Sequence, residues 1–396
     1  MNKNKVLLIG RYGHPADVGG VANATKNLVQ MTEEITSFHI FSIRDPLLIS
    51  EELLKTADYG SENINLSIVP TVEGFGTQDN EKFEESTERL ADLITKMSSS
   101  GNPQLVQVMT AYPNYVRVGE KVSSKFGIPY IVSVRGSDAY GHNPEVKYWH
   151  DKTWFLQPLR NASLITVLSD FQEGEVRQNL NEVGFTNIPI KKIRNGVDTN
   201  RFAPLDKMSI PDGTIRAVYT GRIRKFKNIL DIIKAVHLAQ SSINIELDVY
   251  GKPEEGHQEA FLELKDYIEQ NRLSSLVRAN GVYIPHNFLP EIYRRHNLFI
   301  HASICEGNSN SVMEAMSCGL AVALNYASGS SDLLDNIHMV FESGNIDSLV
   351  KVFDYLAHDP KRLAEHGVRN REFALQHHWK QIAQQYSDIY REMSKK

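Results

Sequence analysis

Cysteine is nearly absent from this chain of 396 residues. Its two cysteines, Cys305 and Cys318, can build neither a disulfide framework nor a four-ligand zinc site, and such sparse use fits a reducing cytoplasm. An excess of positive charge is lacking too: 43 Lys and Arg stand against 48 Asp and Glu, for a net charge of −5. A groove for nucleic-acid phosphates, or a polybasic membrane patch, needs the opposite balance, so neither is expected. No run approaches the roughly 18–20 apolar residues that span a bilayer. The about four apolar residues after Lys5 are too few for a secretory leader. The chain therefore reads as cytoplasmic, with peripheral contact at the inner face of a membrane left open. Also missing are the three-glycine dinucleotide fingerprint, a P-loop with its lysine, an Asp-X-Asp motif and any His-Glu-X-X-His or clustered Cys/His ligands. A nicotinamide dehydrogenase is disfavoured on that ground, and neither a metal nor a cofactor is expected.

What is present is the composition of a globular protein, 41% hydrophobic and 23% charged. The length suits two domains of about 150–200 residues each. Short runs rich in Val, Ile and Leu recur between longer segments of helical periodicity. They are Val6–Ile9, Phe38–Ile43, Ile64–Val69, Leu105–Met109, Tyr130–Val134 and Leu164–Leu168, then Ile215–Thr220, Ile243–Tyr250, Leu298–Ala302 and Leu320–Leu324. Runs that are apolar throughout suit parallel strands covered by helices on both faces. Strands alternating with helices build doubly wound sheets, so the expected class is α/β with Rossmann-like domains. The stretch Thr199–Thr214 breaks the pattern with Pro204, Pro211 and Gly213. It reads as a linker between an N-terminal domain, 1–198, and a C-terminal domain, 215–376; a surface loop within one large sheet is the alternative. In 377–396, Trp379, Ile382, Tyr386, Ile389 and Met393 recur at spacings of three and four, the stripe of one amphipathic helix.

Ligands of doubly wound sheets sit outside the carboxyl ends of the strands, so the residues following each strand carry the chemistry. After the first strand, Gly19-Gly20 opens the helical pattern Val21–Met31, where backbone N–H groups and the helix dipole can receive an anion; such a pair serves equally as a plain turn. After Thr220 come Arg222, Arg224, Lys225 and Lys227, four cations within six positions. Arg224 and Lys225 read as a solvated face. Arg222 directly after Gly221, with Lys227 just before the helix Ile229–Ala239, suits a diphosphate clamp, the Arg by forked hydrogen bonds and the Lys as a point charge. After Leu298–Ile300, the loop Glu306-Gly307-Asn308-Ser309-Asn310 leads into a short helix, Ser311–Cys318, closed by Gly319. That loop offers N–H groups, and Glu306 and Glu314 bracket it. Singly, each glutamate is a surface charge or a helix-dipole partner. Together, paired carboxylates around an anion-binding turn suit a ligand with hydroxyls at both ends and phosphate between them, a nucleotide sugar.

Glu306 and Glu314, with seven residues between them and followed by Ala315-Met316-Ser317-Cys318-Gly319-Leu320-Ala321-Val322, resemble the signature of retaining glycosyltransferases of family four, which have the GT-B fold. Gly19-Gly20, Ser163–Ser169, Asn195-Gly196-Val197-Asp198 with Phe202 and Pro204, Gly221-Arg222 with Lys227, Val249-Tyr250-Gly251 and the Trp379 tail match in the family's order. The resemblance implies two Rossmann-like domains facing a central cleft, with the tail helix crossing back to an acceptor-binding first domain. It implies that Arg222 and Lys227 neutralise the donor diphosphate, Glu306 holds hydroxyls of the transferred sugar and Glu314 binds the ribose. Backbone N–H groups of Asn308, Ser309, Asn310 and Ser311, with Gly307, Gly19 and Gly20, complete the cradle, and the base lies near Tyr283 and Ile284. One departure stands out: where relatives often carry a histidine, this chain has Val134-Arg135-Gly136-Ser137-Asp138. His14 is the candidate stand-in, and His14, Tyr112, Arg135 and Asp138 are the candidate acceptor contacts. The implied activity is retaining, metal-independent transfer of a hexosyl or N-acetylhexosaminyl group from a nucleotide sugar. UDP-linked donors are common in the family, and the acceptor is a hydroxyl of a glycan, a lipid-linked sugar or a small metabolite. A nucleotide-sugar epimerase or hydrolase of the same fold, and a non-catalytic nucleotide-sugar-binding subunit, are the alternatives.

Overall fold

A computed structural model describes residues 3–15, 17, 20–136, 151–205, 213–304, 306–326 and 329–395. Its strands form two sheets, parallel throughout. The first contains β1 (Asn4–Gly10), β2 (Thr36–Arg44), β3 (Ile64–Pro70), β4 (Leu105–Val108), β5 (Tyr130–Ser133), β6 (Leu164–Val167) and β7 (Ile190–Lys192), in the order β3-β2-β1-β4-β5-β6-β7. The second contains β8 (Ile215–Thr220), β9 (Ile245–Tyr250), β10 (Val277–Ala279), β11 (Leu298–His301), β12 (Ala321–Asn325) and β13 (Val340–Phe341), in the order β10-β9-β8-β11-β12-β13. In each, the third strand of the unit lies at one edge and the chain then jumps across the first strand. That is the doubly wound order, with a switch point between β1 and β4 and another between β8 and β11.

The apolar runs are continuous because both faces of the sheets are covered. Val6 and Leu8 of β1 face one core, with Leu28 and Val29 of the helix Gly20–Thr32. Leu7 and Ile9 face the other, with Val116 and Val122 of the helix Pro113–Phe126. In the second sheet Ile215, Ala217 and Tyr219 point to one side and Val218 to the other. The strands that the sequence does not announce are β7, β10 and β13, of three, three and two residues. All are at sheet edges, where a short strand needs few apolar residues and limits unwanted pairing.

The chain divides into two units, Met1–Arg194 with Trp379–Lys396, and Asn195–His378. The division falls at 194/195, ahead of the Thr199–Thr214 stretch, because Val197 and Phe202 are buried in the second unit's core at 2% and 1% exposure. The helix Trp379–Met393 belongs to the first unit, burying Trp379, Ile382, Tyr386, Ile389, Tyr390 and Met393 in the same core as Val6 and Phe38. No helix among the described residues is long and apolar enough to cross a membrane.

Candidate functional site

The residues of interest in the second unit follow β8 and β11, strands that are neighbours in the sheet. They therefore meet outside its carboxyl edge at the switch point, where the topology opens a crevice. Past β8 the ladder with β9 continues: the Gly221 N–H bonds the Tyr250 carbonyl at 3.0 Å and the Ile223 N–H bonds the Lys252 carbonyl at 3.1 Å. Gly251 makes this approach possible. At φ +155° a Cβ on it would lie 1.8 Å from the Gly221 oxygen. The continued ladder places Glu254 beside the cations of the first loop. Its Oε1 accepts from Arg222 Nη1 at 2.8 Å, and its Oε2 accepts from Arg224 Nε. Burial pushes the Glu254 carboxyl up, but the bonds and charges of the two arginines outweigh it and hold the group below the usual glutamate range. Arg224 is thus a buttress with a partly buried side chain rather than part of a solvated face. Lys225, paired at 2.9 Å with exposed Glu259, is on the solvated face.

Lys227 ends a single 3-10 turn, Lys225–Lys227, and Asn228 at φ +49° starts the helix Ile229–Ala239. The turn is bound to the other loop twice. The Ile304 N–H bonds the Phe226 carbonyl at 3.1 Å, and Lys227 Nζ pairs with Glu306 Oε1. Their side chains are only 16% and 22% exposed. Nearby at the end of β11, His301 is 2% exposed, and its pKa is pushed down to about 3 by burial and by the Lys227 charge.

The short helix after β11 runs Asn310–Ser317, with Gly319 in the left-handed region just past its end, at φ +81°. Its N-cap, Ser309, makes no side-chain capping bond, since its hydroxyl is 2.9 Å from that of Ser311. A helix start of this kind, with Asn308 and Ser309 at 4% and 9% exposure, presents the positive end of its dipole and suits an anion. The Ser309 N–H is an exception to the cradle expected from sequence, because it bonds the Ser330 hydroxyl at 3.0 Å. Glu314, one turn inside, is 7% exposed. Its Oε1 is 2.7 Å from His286 Nε2, and its Oε2 accepts from the Tyr293 hydroxyl at 3.4 Å. Tyr293 in turn meets Thr220 at 2.7 Å, tying Glu314 to the end of β8. Tyr283 is exposed, with Lys252 Nζ 6.0 Å from its ring centre, and Ile284 packs half-buried against the core.

The structure thus joins Lys227 to Glu306 directly, while Arg222 and Glu314 have partners that the sequence reading missed, Glu254 and His286. The signal for Glu254 was its place just after Gly251, beyond the end of the strand next to β8; nothing local pointed to His286. Among the described residues no three His, Cys, Asp or Glu side chains converge as a metal site would require.

In the first unit, Gly20 starts the helix Gly20–Thr32, while Gly19 and Asp138 lie outside the described residues. His14 is 2% exposed; Nε2 bonds the Leu53 carbonyl at 2.9 Å, and its own N–H bonds Asp17, which Arg44 holds at 2.5 Å. These bonds fix the ring of a residue that the sequence makes a candidate acceptor contact. Arg135 is 8% exposed, donating to the Tyr386 hydroxyl at 3.1 Å with its guanidinium 5.7 Å from that ring. Tyr112 is 39% exposed at the start of the helix Pro113–Phe126.

Residues 204–373 match the family model described as glycosyl transferases group 1. Over 198 residues the chain is 22% identical to the O-antigen chain mannosyltransferase B of Escherichia coli, covering 49% of this chain and 51% of that protein. Over 221 residues it is 24% identical to the alpha-maltose-1-phosphate synthase of Mycobacterium tuberculosis, covering 51% and 56%. The chain thus spans about half the length of these curated relatives. Among solved structures, HepE of Anabaena in complex with UDP superposes with a TM-score of 0.76 at 18% identity, over 98% of this chain and all of that one. The same protein has been solved with UDP-glucose, at a TM-score of 0.72 and 16% identity, over 98% and 99% of the chains. The fold is GT-B.

Proposed function

We propose, from the match of residues 204–373 to the family model described as glycosyl transferases group 1, that the chain is a retaining glycosyltransferase that moves a hexosyl or N-acetylhexosaminyl group from a nucleotide sugar to a hydroxyl acceptor. The observation that carries this reading is the pair of glutamates around a helix start without a side-chain cap at the switch point, Glu306 joined to Lys227 and Glu314 only 7% exposed. UDP is the proposed nucleotide, since HepE, of the same fold, binds UDP and UDP-glucose. The acceptor is assigned to the first unit, on a surface that includes Tyr112.

In the proposed reaction the acceptor oxygen attacks the anomeric carbon on the face from which the diphosphate departs. The anomeric C–O bond breaks with its electron pair going to the diphosphate, and the acceptor's proton passes to a leaving phosphate oxygen. Charge therefore grows on phosphate, and fixed cations placed there stabilise the transition state. Arg222 and Lys227 supply them in place of a metal. A bound diphosphate competes with Glu254 and Glu306 for these cations, leaving Glu306 to the sugar hydroxyls. Glu314, oriented by His286 and Tyr293, takes the ribose, and Tyr283 and Ile284 flank the base. N–H groups of the Gly307–Ser311 turn, other than that of Ser309, receive phosphate oxygens, with Gly19 and Gly20 completing the cradle.

Loss of one such charge-stabilising donor typically costs about 2.7–4 kcal/mol. Arg222→Ala and Lys227→Ala are each expected to cut turnover at least about a hundredfold with the circular dichroism unchanged, and excess EDTA to leave wild-type turnover intact. Near-wild-type rates in either variant would refute the clamp. Release of free or epimerised sugar without acceptor would refute transfer.

A further inference from the structure

The Asn195-Gly196-Val197-Asp198 segment has no role in the reaction just described, yet its first residue is bound to the donor turn. Asn195 is 4% exposed and aims three N–H groups at that turn. Its Nδ2 donates to the Asn308 carbonyl at 3.1 Å and to Asn310 Oδ1 at 2.9 Å, and its backbone N–H donates to Asn308 Oδ1 at 3.3 Å. The turn and Asn195 are 113 residues apart in sequence, so this is tertiary structure rather than a local cap.

We propose that Asn195 is the positioning residue of the phosphate-binding turn: by consuming three of its oxygen acceptors, it turns the segment 308–311 into a net donor surface. A loop binds an anion only where its N–H groups face the ligand and its carbonyls face elsewhere. The Asn308 carbonyl and the side-chain oxygens of Asn308 and Asn310 would otherwise add negative dipole beside the phosphates. Each is taken by a donor on Asn195. The balance left in the turn is donor-rich, since Asn308 Nδ2 is buried with no hydrogen-bond partner. An unmatched buried donor is costly and calls for an acceptor from elsewhere.

The inference rests on the donor site proposed above, and its test separates the two. Wild type, Arg222→Ala, Asn195→Ala and the isosteric Asn195→Asp are titrated with UDP, GDP and ADP by calorimetry, then with the nucleoside of the preferred diphosphate by saturation-transfer NMR. Asn195→Ala should weaken diphosphate binding about tenfold. Asn195→Asp should weaken it more, because a carboxylate turns its oxygens on the Asn308 and Asn310 acceptors and adds charge beside the phosphates. Nucleoside binding should stay within about twofold in both. If Arg222→Ala weakens the diphosphate and neither Asn195 variant does, the positioning role is wrong and the donor site stands. Equal loss of nucleoside and diphosphate, including through misfolding, makes Asn195 a general structural residue and overturns the proposal. If wild type binds no diphosphate, both readings fall.

Discussion

Lys227, Glu306 and His301 show what a mostly buried site demands of single residues. A cation and a carboxylate with 16% and 22% side-chain exposure need each other, since either alone would be a poorly solvated charge. His301 stays neutral beside them because burial, and then the Lys227 charge, push its pKa down to about 3. Below the ordinary histidine pKa near 6.5 the unfolded chain takes up a proton that folded His301 refuses. The unfolded state then binds more protons, so stability falls as pH drops from about 6.5 towards 3, with a limiting slope of about 1.4 kcal/mol per pH unit for one group. His39 and His366 are also pushed down by burial, so the wild-type loss is a sum. His301→Gln should melt with a visibly shallower pH dependence across that window; identical slopes in the two proteins would show that His301 is not held neutral. Legibility at this scale followed sequence distance. Glu306 and Glu314 lie on one loop and helix and could be read together. Glu254 meets Arg222 across 32 residues and His286 meets Glu314 across 28, pairings set by strand order and not by any local pattern.

At the scale of elements, most of the ten longer strands were legible because burial on both faces writes a nearly uninterrupted apolar run, while the edge strand β3, with Asn65 exposed and Ser67 half-buried, was read from Ile64, Leu66, Ile68 and Val69. Three edge strands were not, since two or three residues carry no periodicity. The helix Ile229–Ala239 was readable to its ends, and the helix Trp379–Met393 from its apolar stripe. Less visible was the way two loops are joined beyond the sheet. The β8 and β9 ends run on together only because Gly251 lets the Gly221 carbonyl approach, and that extension carries both Arg222 and Glu254. Gly251→Ala combines a backbone conformation costing of order 1–3 kcal/mol for a non-glycine residue with a Cβ 1.8 Å from the Gly221 oxygen. The two loops must part. The expected outcome is a folded protein destabilised by at least about 1 kcal/mol, with donor affinity reduced along with it. Unchanged denaturation and unchanged nucleotide titration would show that the loops do not depend on this contact.

Over the whole molecule, the two units are built differently from the chain. Asn195–His378 is one continuous stretch with cores on both faces of its sheet, one holding Ile215, Ile233 and Phe353 and the other Phe299, Val312 and Met316. The first unit is discontinuous. One face of its sheet is completed only by Trp379, Ile382, Tyr386, Ile389 and Tyr390, packed with Val6, Leu8, Leu28 and Phe38. Tyr390 also donates to the buried Gln107 side chain and stands edge-on to Phe38 at 6.1 Å. Removing the last helix would open that core and leave the Gln107 carbonyl without its donor, a loss beyond the few kcal/mol that a single large-to-small core change costs. The segment 195–378 should therefore fold when produced alone and melt in one cooperative transition by circular dichroism. The segment 1–194 should show none until 379–396 is restored by a short linker after residue 194. A cooperative melt of 1–194 by itself, near the temperature of the intact protein, would mean that the final helix decorates the first unit and does not complete it.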